Sequence, residues 1–307
     1  MSLLRHLPVL PDTAGAYRWF YADVTAGPFS AVCIFMLGSL FSPRYSVAAR
    51  RGGRPLEHSA VNFALYHEGV RRLWVLSEYP RAELESPGRL RIGRSTLTYS
   101  GGGTVRMDVE DSTAPWGRPV CASLTLQPMT PVGEVVRLMP ELPHYWQALA
   151  PRARARLEVP SLGVDADGLG YHDTNHGDEL LGARLSGWHW ARTHREGETV
   201  VDYHLPDGVP SLRVVARAGG MKYERDVAQE ARPTSMTGWG LRVPARLQVG
   251  NQVVGEPRLL ESSPFYARLE ARQGALDSLG EVADFRRFHS PFIRWMAHFR
   301  TRVGRAA

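Results

Sequence analysis

The chain has 307 residues, of which 43% are hydrophobic, 22% charged and 9% aromatic. That is ample length to bury a core and too apolar for a disordered protein. The formal net charge is +6, but Lys222 is the single lysine, so the basic excess lacks the mixed Lys/Arg clusters of a nucleic-acid binder. Two cysteines, Cys33 and Cys121, exclude a disulfide scaffold and a cysteine-rich zinc module.

Met1 to Pro8 lacks the apolar core and small-residue cleavage site of a signal peptide. The most apolar stretch, Ala31 to Phe41, is far shorter than the roughly 20 residues a membrane-crossing helix needs. These features predict a cytoplasmic protein. Ala31 to Leu37 reads as a short buried strand closed by Gly38-Ser39, in which the Cys33 thiol acts as a small hydrophobe. Val61 to Tyr66 and Arg71 to Leu76 flank His67-Glu68-Gly69, a hairpin signal. Alternation of period two continues through Arg89 to Gly93, Ser95 to Tyr99, Val105 to Val109 and Ser123 to Leu126. Arg152, Arg154 and Arg156 then alternate with Ala153, Ala155 and Leu157, giving one charged and one apolar face. In the second half, Thr199 to Tyr203 and Leu212 to Val215 pair across Pro206-Asp207-Gly208, and Leu241 to Val249 and Pro264 to Arg272 continue the series. Gly and Pro together make up about a sixth of the chain.

Strands at this spacing, with turn residues between them, predict a mainly β protein of antiparallel sandwich or barrel type. The Pro/Gly/Asp stretch Pro160 to Gly168 suggests two units, 1–160 and 161–307. The exception is the end. Ser290-Pro291 is a helix-start pair, and Phe292, Trp295, Met296 and Phe299 follow at i, i+3, i+4, i+7 with Arg294, Arg300 and Arg302 off that stripe. This short amphipathic basic helix either packs over a barrel mouth or seam, or touches a membrane surface through its aromatics and arginines, peripherally at the inner face.

No G-x-S-x-G elbow and no phosphate-binding P-loop occur. Gly168-Leu169-Gly170 starts like a dinucleotide fingerprint, but Asp173 stands where the third glycine belongs and no βαβ unit surrounds it. Gly101-Gly102-Gly103 reads as a hairpin turn. The chemistry concentrates in Gly170-Tyr171-His172-Asp173-Thr174-Asn175-His176-Gly177-Asp178-Glu179, followed by Gly187-Trp188-His189-Trp190. A metal site fails on spacing: on a strand His172 and His176 share a side but stand about 13 Å apart, and the local residues disfavour a helix. A polar turn whose side chains cap backbone groups is one alternative. The other is an acid site walled by rings. His144 and Trp146 share one strand face, and so do Tyr171 and Asp173. Two such pairs facing each other would surround a carboxyl that burial keeps protonated, able to hand its proton to an alkene, beside rings whose faces stabilise a cation.

The segment from Gly170 to Glu179 with Gly187-Trp188-His189-Trp190 resembles the carotenoid 1,2-hydratases, also called hydroxyneurosporene synthases. Further similar stretches are Trp19 to Asp23, Gly38 to Pro43, Asn62 to Tyr66, Ser263 to Arg268 and Phe285 to Phe299. The resemblance implies two lipocalin-like β domains with the site near their junction. It also implies cofactor-free, metal-free addition of water to the terminal C1–C2 double bond of an acyclic carotenoid such as lycopene or neurosporene. It carries catalytic roles onto His144, Trp146, Tyr171 and Asp173. Asp173 would donate the proton, Trp146 and Tyr171 would stabilise the cation at C1, and His144 would orient or reprotonate the acid or position water. Asn175, His176, Asp178, Trp188 and Trp190 match the motif as supporting or substrate-binding residues, with a role in holding the turn. The same architecture also hosts pericyclases, so a pericyclase or isomerase acting on another polyene or polyketide, or a lipid or pigment carrier, are the alternatives. A buried acid among rings separates the hydratase from a carrier, for which such a group is only a cost.

Overall fold

The computed structural model describes residues 10–39, 41–139, 141–206, 211–225, 234–249, 252–288 and 290–304. Met1 to Pro8 and the turn at Asp207-Gly208 lie outside the described residues. The first half supplies strands β1 (Tyr17–Ala26), β2 (Phe29–Leu37), β3 (Ser59–His67), β4 (Val70–Tyr79), β5 (Ala82–Ser86), β6 (Arg89–Ile92), β7 (Ser95–Tyr99), β8 (Val105–Ser112), β9 (Pro119–Pro128), β10 (Val136–Arg137) and β11 (His144–Val159), with the short helix α1 (Pro43–Ala49). After β12 (Val164–Gly177) come β13 (Gly187–Arg195), β14 (Glu198–His204), β15 (Leu212–Arg217), β16 (Gly220–Arg225), β17 (Thr234–Met236), β18 (Arg242–Pro244), β19 (Leu247–Val249), β20 (Gln252–Gly255), β21 (Arg258–Ser262), β22 (Tyr266–Gln273) and β23 (Leu276–Asp284). Helices α2 (Phe285–Phe288) and α3 (Pro291–Arg300) and strand β24 (Arg302–Val303) complete it. The protein is mainly β, as its alternation predicts.

Thirteen strands form one sheet in the order β24-β4-β3-β2-β1-β12-β11-β9-β8-β7-β6-β5, with β10 paired to β11. The expected hairpin from Val61 is present, its turn made by Glu68 and Gly69, both at positive φ. The sheet curls until β4 meets β8. Ser77 and Tyr79 donate to the Asp111 carboxylate at 2.8 and 3.1 Å, and the Ala114 N–H bonds Trp74 O at 3.2 Å. Phe20, Cys33, Phe63, Leu97, Leu126 and Leu157 fill the resulting barrel.

A second sheet, β16-β15-β14-β13-β23-β22-β21, packs against the outside of β1, β2, β3, β11 and β12. These first-sheet strands are therefore covered on both faces. That is why Ala31 to Leu37 reads as a continuous apolar run instead of an alternating one. The chain leaves the first sheet between Gly177 and Gly187, not at the Pro160 turn: Pro160 to Leu162 only joins β11 to β12, which pair with each other. Leu241 to Val249 is not one strand but parts of two, β18 and β19, in separate two-stranded hairpins over the far face of the second sheet.

Helix α3 starts at Pro291 as the sequence predicts, although the Ser290 hydroxyl makes no capping bond. Its stripe does not form a packed face. Ile293 and Ala297 touch the core, whereas Phe292, Trp295 and Phe299 are 63%, 59% and 62% exposed. Among the described residues no helix is long and apolar enough to cross a membrane.

A fully buried ion pair fastens the sheets together. Arg192 on β13 donates to Asp23 on β1 at 2.9 and 2.7 Å, and also to Thr25 Oγ1 and Asp277 O, both at 3.0 Å. Removing Asp23 breaks the buried pair and leaves Arg192 with only the Asp277 carboxylate, at 3.1 Å, as a charged partner among the described residues, and breaking a buried pair costs about 3–5 kcal/mol. Asp23→Ala is therefore expected to lower the unfolding free energy by about that amount, read from the denaturant midpoint. A midpoint unchanged from the wild type would show that this pair does not hold the sheets.

Candidate active site

Register brings the motif together between the sheets. On the first sheet Tyr21, Asp173 and Ala148 lie side by side across β1, β12 and β11, and Trp19, Asn175 and Trp146 form the next row. On the second, Tyr203, Trp190, Glu281 and Arg268 form a row across β14, β13, β23 and β22. Period-two alternation points the first set at the second. Between them lies a cavity of about 20 Å³ lined by Trp19, Tyr21, Asp173, Asn175, Trp188, Trp190, Tyr203 and Glu281.

Asp173 is buried, and only one of its oxygens is engaged by the protein. Oδ2 accepts both the Trp146 indole N–H at 2.8 Å and the Tyr171 hydroxyl at 2.6 Å. Oδ1 has no hydrogen-bond partner from the protein and belongs to a residue lining the cavity. Burial pushes the carboxyl up to about 7, against the pull of the Tyr171 and Trp146 bonds; Glu281 and Asp23 push it further up. With both donors on Oδ2, the acid proton belongs on Oδ1, facing the rings. Trp146 and Tyr171 thus hold the carboxyl through hydrogen bonds to one of its oxygens. Their rings also extend the aromatic wall, Tyr171 lying 5.3 Å from Trp190 and Trp146 lying 6.1 Å from Tyr203.

His144 lies apart from the acid. Its Nδ1 is hydrogen-bonded to the Tyr17 hydroxyl at 2.5 Å, and its ring lies 5.9 Å from that of Trp19. Burial lowers it to about 3, so the ring is neutral. Orientation of Asp173, which the resemblance offered to His144, is done instead by Trp146 and Tyr171. Trp188 and Trp190 line the cavity directly, as does Asn175. His176 points the other way and stacks on Tyr145 at 4.9 Å. His172 shares that opposite side, bonded to Tyr99 in the barrel and to Tyr21 O. Gly177 lies opposite Tyr17, where a Cβ would come within 2.5 Å of the hydroxyl that holds His144.

The resemblance gave no role to Trp19, Tyr21, Tyr203 or Glu281. Trp19 and Tyr21 carried an i, i+2 signal inside Trp19 to Asp23, and Glu281 is a lone carboxyl in the apolar run Leu279 to Ala283. A larger cavity, about 330 Å³, lies beside this one. Phe41, Trp74, Leu76, Phe265, Ile293 and Phe299 give it apolar walls, and Tyr266 and Arg268, which bond Glu281, close one side.

A curled β-sheet with a second sheet laid over it encloses, at their contact, a ring-lined cavity and a carboxyl of raised proton affinity. The family model described as carotenoid hydratase CrtC matches residues 33–307. The chain is 33% identical over 304 residues to the acyclic carotenoid 1,2-hydratase of Thiocapsa roseopersicina, covering 95% of this chain and 74% of that one. To the enzyme of the same name from Rubrivivax gelatinosus it is 30% identical over 282 residues, covering 89% and 68%. The fold resembles a protein assigned as AttH from Nitrosomonas europaea, with a TM-score of 0.59 and 12% identity over 88% of this chain and 92% of that one. It also resembles kievitone hydratase from Nectria haematococca, with a TM-score of 0.53 and 10% identity over 92% of each chain. The chain belongs to the carotenoid hydratase family and is a hydratase of lipocalin-like fold.

The site makes a prediction about stability. Unfolded, the Asp173 carboxyl has its ordinary value of 3.8; folded, burial raises it to about 7. Folding therefore takes up a proton between these values, and this group's contribution to stability falls as pH rises through that window. Asp173→Asn removes the ionisable group. The variant is expected to gain stability relative to the wild type as pH is raised from 5 to 8, measured by denaturant unfolding at each pH. A stability difference independent of pH would show that the acid is not raised.

Proposed function

We propose that the enzyme adds water across the terminal C1–C2 double bond of an acyclic carotenoid of the lycopene or neurosporene type, with Asp173 as proton donor. The observation that carries this is the arrangement of the Asp173 carboxyl: both protein donors on Oδ2, and Oδ1 toward a ring-lined cavity. Protonation at C2 leaves a tertiary cation at C1. Trp19, Tyr21, Trp188, Trp190 and Tyr203 line the cavity there, and a ring whose face meets a cation attracts it with about 0.5–2 kcal/mol. Water attacks C1 and loses a proton. The 330 Å³ apolar cavity suits an arm of the polyene.

Asp173→Asn is expected to fold and to lose hydration by about 10²–10⁴-fold, the range for a general acid. Turnover in heavy water is expected to place deuterium at C2 of the product. Wild-type turnover by the variant, or product without that label, would remove Asp173 from the role of donor.

The exposed Phe292, Trp295 and Phe299 supply a contact for a membrane surface, where a carotenoid would be collected. Arg294 and Arg300 accompany them on the same helix. Replacing Phe292, which does not line the 330 Å³ cavity, by Ser is expected to weaken co-sedimentation with anionic liposomes, with wild-type hydration retained on detergent-dispersed substrate. Unchanged sedimentation would leave the stripe without this role.

A further inference from the structure

Glu281 stands opposite Asp173 and has no part in the proton donation just described. It is 8% exposed and lines the same 20 Å³ cavity. Its Oε1 accepts the Tyr266 hydroxyl at 2.6 Å and two Arg268 N–H groups at 3.2 Å each. None of these donors engages Oε2. Arg268 is itself buried, and also reaches Tyr66 OH at 3.0 Å and Glu261 Oε2 at 3.4 Å. Burial raises the Glu281 carboxyl above its ordinary value, and the Arg268 guanidinium and Tyr266 hydroxyl pull it back down toward the carboxylate form. The two acids of the cavity are therefore unlike: Asp173 is held by neutral donors, Glu281 by a cation.

The cavity is also the right size and polarity for one water molecule. About 10–15 Å³ of such space holds a water when two to four polar partners surround it. Besides Asp173 Oδ1, the lining residues contribute two buried polar atoms without a hydrogen-bond partner among the described residues: Asn175 Oδ1 and Trp190 Nε1.

We infer that Glu281 is the general base of the hydration: with Asn175 it holds the attacking water and takes its proton. This rests on the hydratase reading above. The step balances. The Asp173 proton goes to C2 with the C1–C2 π pair. A lone pair of the water oxygen then forms the C1–O bond. The oxonium proton passes to Glu281, leaving Asp173 as carboxylate and Glu281 as acid. Return of one proton from Glu281 to Asp173 resets both groups. One acid serves the carbon and the other the oxygen.

Separate groups for the two proton transfers make the steps separable. In Glu281→Gln the cation still forms but is captured slowly, and it decays by losing a proton back. In heavy water with detergent-dispersed lycopene as the probe, this variant is expected to hydrate at least about 100-fold more slowly than the wild type. The recovered lycopene is expected to carry deuterium at C2. Asp173→Asn is expected to lose both hydration and exchange. Hydration by Glu281→Gln within a few-fold of the wild type would overturn the assignment. So would loss of exchange in parallel with hydration in a folded variant. Should Glu281→Gln fail to fold, Glu281→Asp keeps a charge for Arg268. A raised ratio of exchange to hydration is then expected, and an unchanged ratio overturns the proposal. If the wild type neither hydrates nor exchanges, the hydratase reading itself fails, an outcome distinct from any variant-specific result.

Discussion

Strand β12 is covered on both faces, and every polar side chain it carries there must find its partner within the protein or the site cavity. The constraint organises the site. On the barrel side, His172 bonds Tyr99 and Tyr21 O, and Thr174 bonds Trp19 O. On the side facing the second sheet, Asp173 takes Trp146 and Tyr171. Each contact fixes a neighbouring strand against β12, so the acid sits in a frame with no slack. Water cannot stabilise its anion, and the two donors offset only part of that loss. The raised affinity for a proton follows from placement on a twice-covered strand.

The second sheet completes the frame from the opposite side. Arg192 and Asp23 join it to β1, and the row Tyr203, Trp190, Glu281 and Arg268 then faces the acid at a set depth. Structural neighbours at 10–12% identity share the fold. What the architecture passes on is a seam between two sheets. The chemistry lies in which side chains are turned into it.

Much of this was legible in the sequence. Alternation marked most strands, and the i, i+2 pairs at 144/146 and 171/173 share faces because strand geometry alone decides that. Register between distant strands is not written in periodicity. Nothing local tells that Trp146 reaches across to Asp173 while His144 turns to Tyr17. Nor does it tell that Glu281 on β23 shares a cavity with a residue more than a hundred positions earlier. The sheet change at Gly177 to Gly187 was hidden for a related reason. The turn at Pro160 has the composition of a boundary, but it is only the tip of a long hairpin, and hairpin tips and linkers draw on the same residues. The apolar stripe of α3 misled in the other direction. Spacing identifies one face of a helix but not whether a partner covers it, and here Ile293 and Ala297 make the inward contact.

The final two-residue strand, Arg302–Val303, lies parallel to β4, and the next N–H, that of Gly304, bonds Glu78 O at 2.8 Å. Gly304 sits against the Tyr79 ring, where a Cβ would clash. A helix near a chain end ordinarily frays from its free side. This one is moored at both ends, to the second sheet through α2 and to the barrel through β24, and so spans the two sheets like a strut. Its outward rings are thus carried on a helix tied down on both sides.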